Sequence, residues 1–160
     1  MRESIILMGM DILQPVVALM IWTMIVWAWM YATRLPAMQK LNIDPESLKE
    51  GVANDLDRVL PPHVQWKAHN FNHLHEQPTV FYAVAILLAI VGHGDGMNAH
   101  FAWAYVGLRV VHSVVQVTTT TVVVRFGIFV VSGVVLLALI FNTALIVFGT
   151  GTELQGAELV

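Results

Sequence analysis

No cysteine occurs in the chain, which excludes a disulfide framework, a cysteine nucleophile and any thiolate metal site. Charge is scarce as well: Asp, Glu, Lys and Arg make up 12% of the 160 residues, against about 25% in soluble globular domains. So few charges cannot coat a domain of this size, which argues against a soluble monomer. Basic character is missing too. The net charge is −3 and the pI lies near 6.1, whereas nucleic-acid binding wants a basic face. Neither a P-loop nor a G-x-G-x-x-G fingerprint is present.

What the chain has in quantity is apolar surface, with 57% hydrophobic residues and a mean hydropathy of +0.69. The length allows one domain, and a bilayer-spanning helix needs roughly 20 apolar residues. The expected fold class is therefore all-α: an integral membrane four-helix bundle in a single domain, residues 1–160. Its spans are expected at about 12–33, 64–92, 98–117 and 122–148, with a loop at about 34–63.

Ile12 to Thr33 has no charged side chain. Asp11 is its expected N-cap, Pro15 fits the first turn, and Trp22, Trp27, Trp29 and Tyr31 form an interfacial belt. The stretch exceeds a signal-peptide core and lacks a small-residue cleavage site, so it reads as a retained span. In the loop, Pro36, Pro45, Pro61 and Pro62 act as breakers, and Asp44 to Glu50 opens a short surface helix. The apolar run from Phe81 to Gly92 is too short to span alone, so the second helix must recruit the polar stretch from Val64 to Pro78. Gly92 to Gly96 reads as a tight turn, Thr118 to Thr121 as a junction, and the tail with Glu153 and Glu158 as solvated.

Five of the eight basic residues, Arg34, Lys40, Lys49, Arg58 and Lys67, fall on the first loop and its flanks. The positive-inside rule puts that loop and the third-to-fourth junction in the cytoplasm and both termini on the other side.

The polar residues fall at helical spacing. His69, Asn72 and Glu76 lie at i, i+3 and i+7 on the second helix, and Arg109, His112 and Gln116 repeat that spacing on the third, flanked by Tyr105 and Ser113. An Arg in mid-span costs about 2.5–3.5 kcal/mol on insertion scales, so such stripes are expected to turn inward. Glu76 and Arg109 are natural partners if the two faces meet. One reading is a structural network that holds the bundle together. The other is a polar pocket open to the cytoplasmic leaflet, whose cations Arg34, Lys67, Arg109 and Arg125 suit a small anionic ligand. A metal site at His69, His73, His75 and Glu76 is a third option. It falls short of a closed ligand set, because His75 projects from a different face and no second histidine pair lies on a neighbouring span.

The string Asn72-His-Leu-His-Glu-Gln-Pro78-Thr-Val-Phe-Tyr82, the Arg109-Val-Val-His112 motif and Arg125, sixteen residues after Arg109, sit on four spans with a long first loop. In these features the chain resembles the MAPEG family, the membrane-associated proteins in eicosanoid and glutathione metabolism, in a bacterial-type form. The resemblance runs from about Ile12 to Phe148. It implies a homotrimer in the bacterial cytoplasmic membrane, with glutathione as cofactor between subunits and lipophilic substrates entering from the bilayer. The activity it implies is that of a glutathione-dependent transferase or peroxidase. Arg125 would be the catalytic cation that favours the thiolate, and Arg34, Asn72, Glu76, Arg109 and His112 would bind the cofactor. Asn72 stands four residues before Glu76 where the family has three, Ala68 replaces an expected Arg, and Gln116 replaces a Tyr of the prostaglandin synthase branch. Those departures point to the alternative function: a non-catalytic lipid-binding or accessory protein on the same scaffold, partnered with another membrane protein.

Overall fold

The computed structural model describes residues 9–42, 56, 59–118 and 121–157, the last eight of these by backbone alone. Among them every regular element is a helix: α1 (Leu13–Lys40), α2 (Pro62–His73), α3 (Gln77–Ile90), α4 (Met97–Thr118) and α5 (Val122–Ala157). The expected surface helix at Asp44 to Glu50 lies outside the described residues.

Helix α1 runs for 28 residues, about 42 Å, and does not stop at Arg34 but continues through Pro36 to Lys40. Proline frees the carbonyl four residues back; both Ala32 and Pro36 are exposed, so that carbonyl faces outward. The first turn differs from expectation at Asp11. Ile12 occupies the N-cap position without a side-chain cap. The backbone N–H groups of Gly9 and Asp11 donate instead to the Asp95 carboxylate, at 2.7 and 3.2 Å. This ties the start of α1 to the α3–α4 turn, where Gly92 and Gly96 take φ of +74° and +58°, values that favour glycine.

The expected second helix is broken. α2 ends at His73 and α3 begins at Gln77, with Pro78 in its first turn. Pro78 lacks an N–H, and its ring opposes the carbonyl four residues earlier, so a continuous helix cannot pass this point unstrained. The resulting three-residue gap leaves the last carbonyls of α2 without helical partners.

The apolar core draws on α1, α3, α4 and α5, including Leu19, Val26, Phe81, Leu88, Ala102, Tyr105 and Leu139. Phe81 stacks on Tyr105 with ring centroids 4.6 Å apart. α1 and Val122–Gly149 of α5 are long and apolar enough to cross a membrane, and they display rows of exposed Val, Ile, Leu, Met and Phe. α1 and α4 both start at the Asp95 turn and run side by side, with α5 antiparallel to them, which gives the molecule two ends. One holds the Asp95 turn; the other holds the end of α1, all of α2, the end of α4 and the start of α5.

Candidate functional site

The stripe on α4 turns inward as its spacing requires. Tyr105, Arg109, His112, Ser113 and Gln116 are all buried, with Arg109 only 1% exposed. The stripe on α2 does not. His69, Asn72 and Glu76 are exposed, and the inward positions belong to Lys67 and Asn70. The break explains this, because Glu76 lies beyond the end of α2 and the i+7 relation no longer applies. Asn70 Nδ2 donates to Ser113 Oγ at 2.6 Å, joining α2 to α4. Lys67 Nζ donates to the His63 carbonyl and lies 5.5 Å from the Trp29 ring centroid on α1.

Arg109 does not meet Glu76. Its Nη2 donates at 2.6 Å to the carbonyl of His73, the last residue of α2. A cation there matches both a free acceptor and the negative end of the helix dipole. The guanidinium also lies 5.7 Å from the Phe129 ring of α5. Its Nε and Nη1 are buried without hydrogen-bond partners, as is Gln116 Oε1, among the described residues. Glu76 instead accepts from His73: Nδ1 lies 2.8 Å from Oε2. Since a carboxylate only accepts, Nδ1 must carry the proton.

Beside these groups lies a cavity of about 290 Å³ lined by His73, His112, Gln116, Val122, Arg125, Phe126 and Phe129. The rings of His73, His112 and Phe129 cluster on its wall, with centroids 6.1 to 6.4 Å apart. Of the residues expected at the site, His112 and Arg125 line the cavity, Arg109 sits behind it against His73, and Glu76 reaches it through the His73 ring. Asn72, exposed on α2, and Arg34, half-buried on α1, are not among its lining residues.

The sequence offers His73 only as a candidate metal ligand and Gln116 only as part of the polar stripe, and gives no sign of Phe126 and Phe129. A signal for His73 was available, because His73 and Glu76 are three residues apart beside Pro78. Phe126 and Phe129 carry no such mark within an apolar run.

A second, apolar groove of about 600 Å³ runs between α1 and α4, lined by Ile21, Trp22, Ile25, Trp103, Gly107 and Val110 among others.

No curated protein and no solved structure matches the chain. The model of the MAPEG family does, over residues 12–145, a stretch that contains α1, α2, α3, α4, the cavity and most of α5. With more than half its length matched, this chain belongs to the membrane-associated MAPEG family.

Proposed function

We propose that this protein is a multi-pass membrane protein that binds glutathione at the His112–Arg125 cavity and presents its thiol to lipophilic electrophiles, as a transferase or peroxidase. The observation that supports this most directly is the placing of Arg125 and two imidazoles around one cavity, with the buried donors of Arg109 and the Gln116 acceptor left unpartnered beside it. Buried polar groups almost always find partners, so this end of the molecule is built to take a polar ligand. The donor set suits a small peptide with two carboxylates, because cations bind carboxylates through charge-assisted hydrogen bonds.

A thiol with an unperturbed pKa of about 8.5 is largely protonated at neutral pH, and a neighbouring cation favours its ionised form. Arg125 is the residue for that role, with Arg109 and His112 orienting the ligand's carboxylate end. Asn72, Glu76 and Arg34 join at the rim or across a subunit boundary. At about 290 Å³ the cavity is at the small end of ligand sites, which run to about 1,000 Å³. That supports a site completed by a neighbouring subunit, and a homotrimer as the working assembly. The concentration of basic residues at this end supports a cytoplasmic orientation, with both termini opposite, in a bacterial inner membrane.

The test is calorimetry of the detergent-solubilised protein with glutathione, together with thiolate absorbance and native mass spectrometry. Binding at millimolar affinity or tighter, with a trimer mass, is expected. No heat and no thiolate signal would sink the reading. The α1–α4 groove favours a second reading, a non-catalytic lipid-binding or accessory protein. That reading predicts co-purifying lipid or a second membrane protein, and no effect of glutathione.

A further inference from the structure

We propose that His73 and Glu76 form a proton-accepting dyad at the cavity, with His73 as its base and Glu76 as a positioning residue. The inference rests on the glutathione reading above and adds to it the destination of the thiol proton.

The geometry comes from the helix break. α2 ends at His73, so the Glu76 side chain lies beyond the last turn and can curl back to the imidazole. Had the helix continued, Pro78 would have opposed the carbonyl of Leu74. Glu76 Oε2 lies 2.8 Å from His73 Nδ1. The carboxylate accepts a hydrogen bond from the protonated Nδ1, which in the neutral ring leaves Nε2 as a lone-pair acceptor. The ring carrying that nitrogen lines the cavity. Its backbone is anchored independently, because Arg109 Nη2 donates to the His73 carbonyl at 2.6 Å. Arg109 therefore holds the main chain of the base while Glu76 selects its tautomer. A base oriented by a third group is the arrangement that activates nucleophiles in many unrelated enzymes.

The charged and titratable groups around the ring come from each element that meets it: Glu76 at the break, Arg109 and His112 on α4, and Arg125 on α5. Arg125 and His73 then divide one task. His73 Nε2 takes the proton as the S–H bond breaks and an N–H bond forms. The sulfur keeps the electron pair beside the Arg125 cation. No oxidant or further reactant is needed.

The test uses the full-length protein in lipid nanodiscs with ¹⁵N-labelled histidine, wild type beside His73→Gln and Glu76→Ala. Both side chains are substantially exposed, 40% and 58%, so neither substitution opens a core. In the wild type, the His73 resonances should report a proton on Nδ1; in Glu76→Ala, it should shift to Nε2. With glutathione and an activated chloronitrobenzene, His73→Gln should lose about 100-fold or more in kcat, while the glutathione Kd stays within about threefold. Glu76→Ala should show a smaller loss in kcat. A wild-type proton on Nε2 overturns the dyad. So does unchanged turnover in His73→Gln with glutathione still bound, and that result leaves the glutathione reading standing. Absence of glutathione binding in the wild type overturns both.

Discussion

The two ends of the molecule handle buried polarity in opposite ways. At the Asp95 end the groups close on one another. Asp95 accepts from the backbone of Gly9 and Asp11, Asn98 donates to the His93 carbonyl at 2.7 Å, and Asn142 on α5 donates to Asn98 Oδ1 at 2.6 Å. At the cavity end they stay open. Of the four buried side-chain polar atoms without partners among the described residues, three belong to Arg109 and Gln116. A structural network has no reason to leave a guanidinium half satisfied, because each unmade hydrogen bond costs about 1–3 kcal/mol. One end is organised for folding, and the other retains unpartnered groups that a ligand can use.

The sharpest way to break this contrast is at Arg125, which lines the cavity and is not among the buried residues of the core. Arg125→Ala should lower kcat with glutathione by about 100-fold, the scale seen when one stabilising donor is removed from a charged transition state. Thermal stability should be unchanged. A variant that unfolds early with its catalysis intact would reverse the assignment of the two ends. Asp95→Ala probes the opposite end. It strips a charged acceptor from two backbone N–H groups and should cost about 2 kcal/mol, read as an earlier thermal transition, with glutathione affinity unmoved. An affinity loss there would mean that the ends are coupled.

Much of this contrast is legible in the residues alone. Spacing places Arg109, His112 and Gln116 on one face of α4, and the expense of charge in a span requires that face to turn inward, as it does. Glycine spacing marks the turn at Gly92 to Gly96 equally well. The break after His73 is not legible in the same way. Periodicity assumes an unbroken helix, and the polar stretch of the second span keeps helical spacing up to Pro78, whose ring opposes the carbonyl four residues before it. The misplacements on the second span follow from that assumption. Glu76 was matched to Arg109 by charge, although the true partner is a backbone carbonyl that exists as a free acceptor only because the helix stops. His73, which an unbroken helix offers only as a metal ligand beside His69, pairs with Glu76 instead. Arg34 illustrates another limit, since a basic residue at the edge of an apolar run does not show whether the helix continues, and here it runs on to Lys40.

Arg109 itself gives a smaller but more discriminating test. Arg109→Met removes the bond to the His73 carbonyl and the contact with Phe129, yet it also removes two unpartnered buried donors. Replacing a buried charge with an apolar side chain of similar volume is often neutral or stabilising. Stability should therefore stay within about 1 kcal/mol, while glutathione affinity falls about tenfold, or about 1.4 kcal/mol. A loss of 3–5 kcal/mol, the scale of a broken buried ion pair, would restore the purely structural account of the α4 stripe.

The smallest effect concerns what lies against the outside of the bundle. Gly107 is exposed on α4 in the α1–α4 groove, and a β-carbon there would meet no atom within 4 Å. For the isolated chain, Gly107→Ala gains helix propensity with no steric penalty and should stabilise by about 0.5–1 kcal/mol. The sign of the change reports on the groove. A rise in the unfolding midpoint in nanodiscs means that only mobile lipid faces Gly107. A fall means that a fixed neighbour is seated against it, so the closed surface of the working assembly extends along α4 beyond the cavity end.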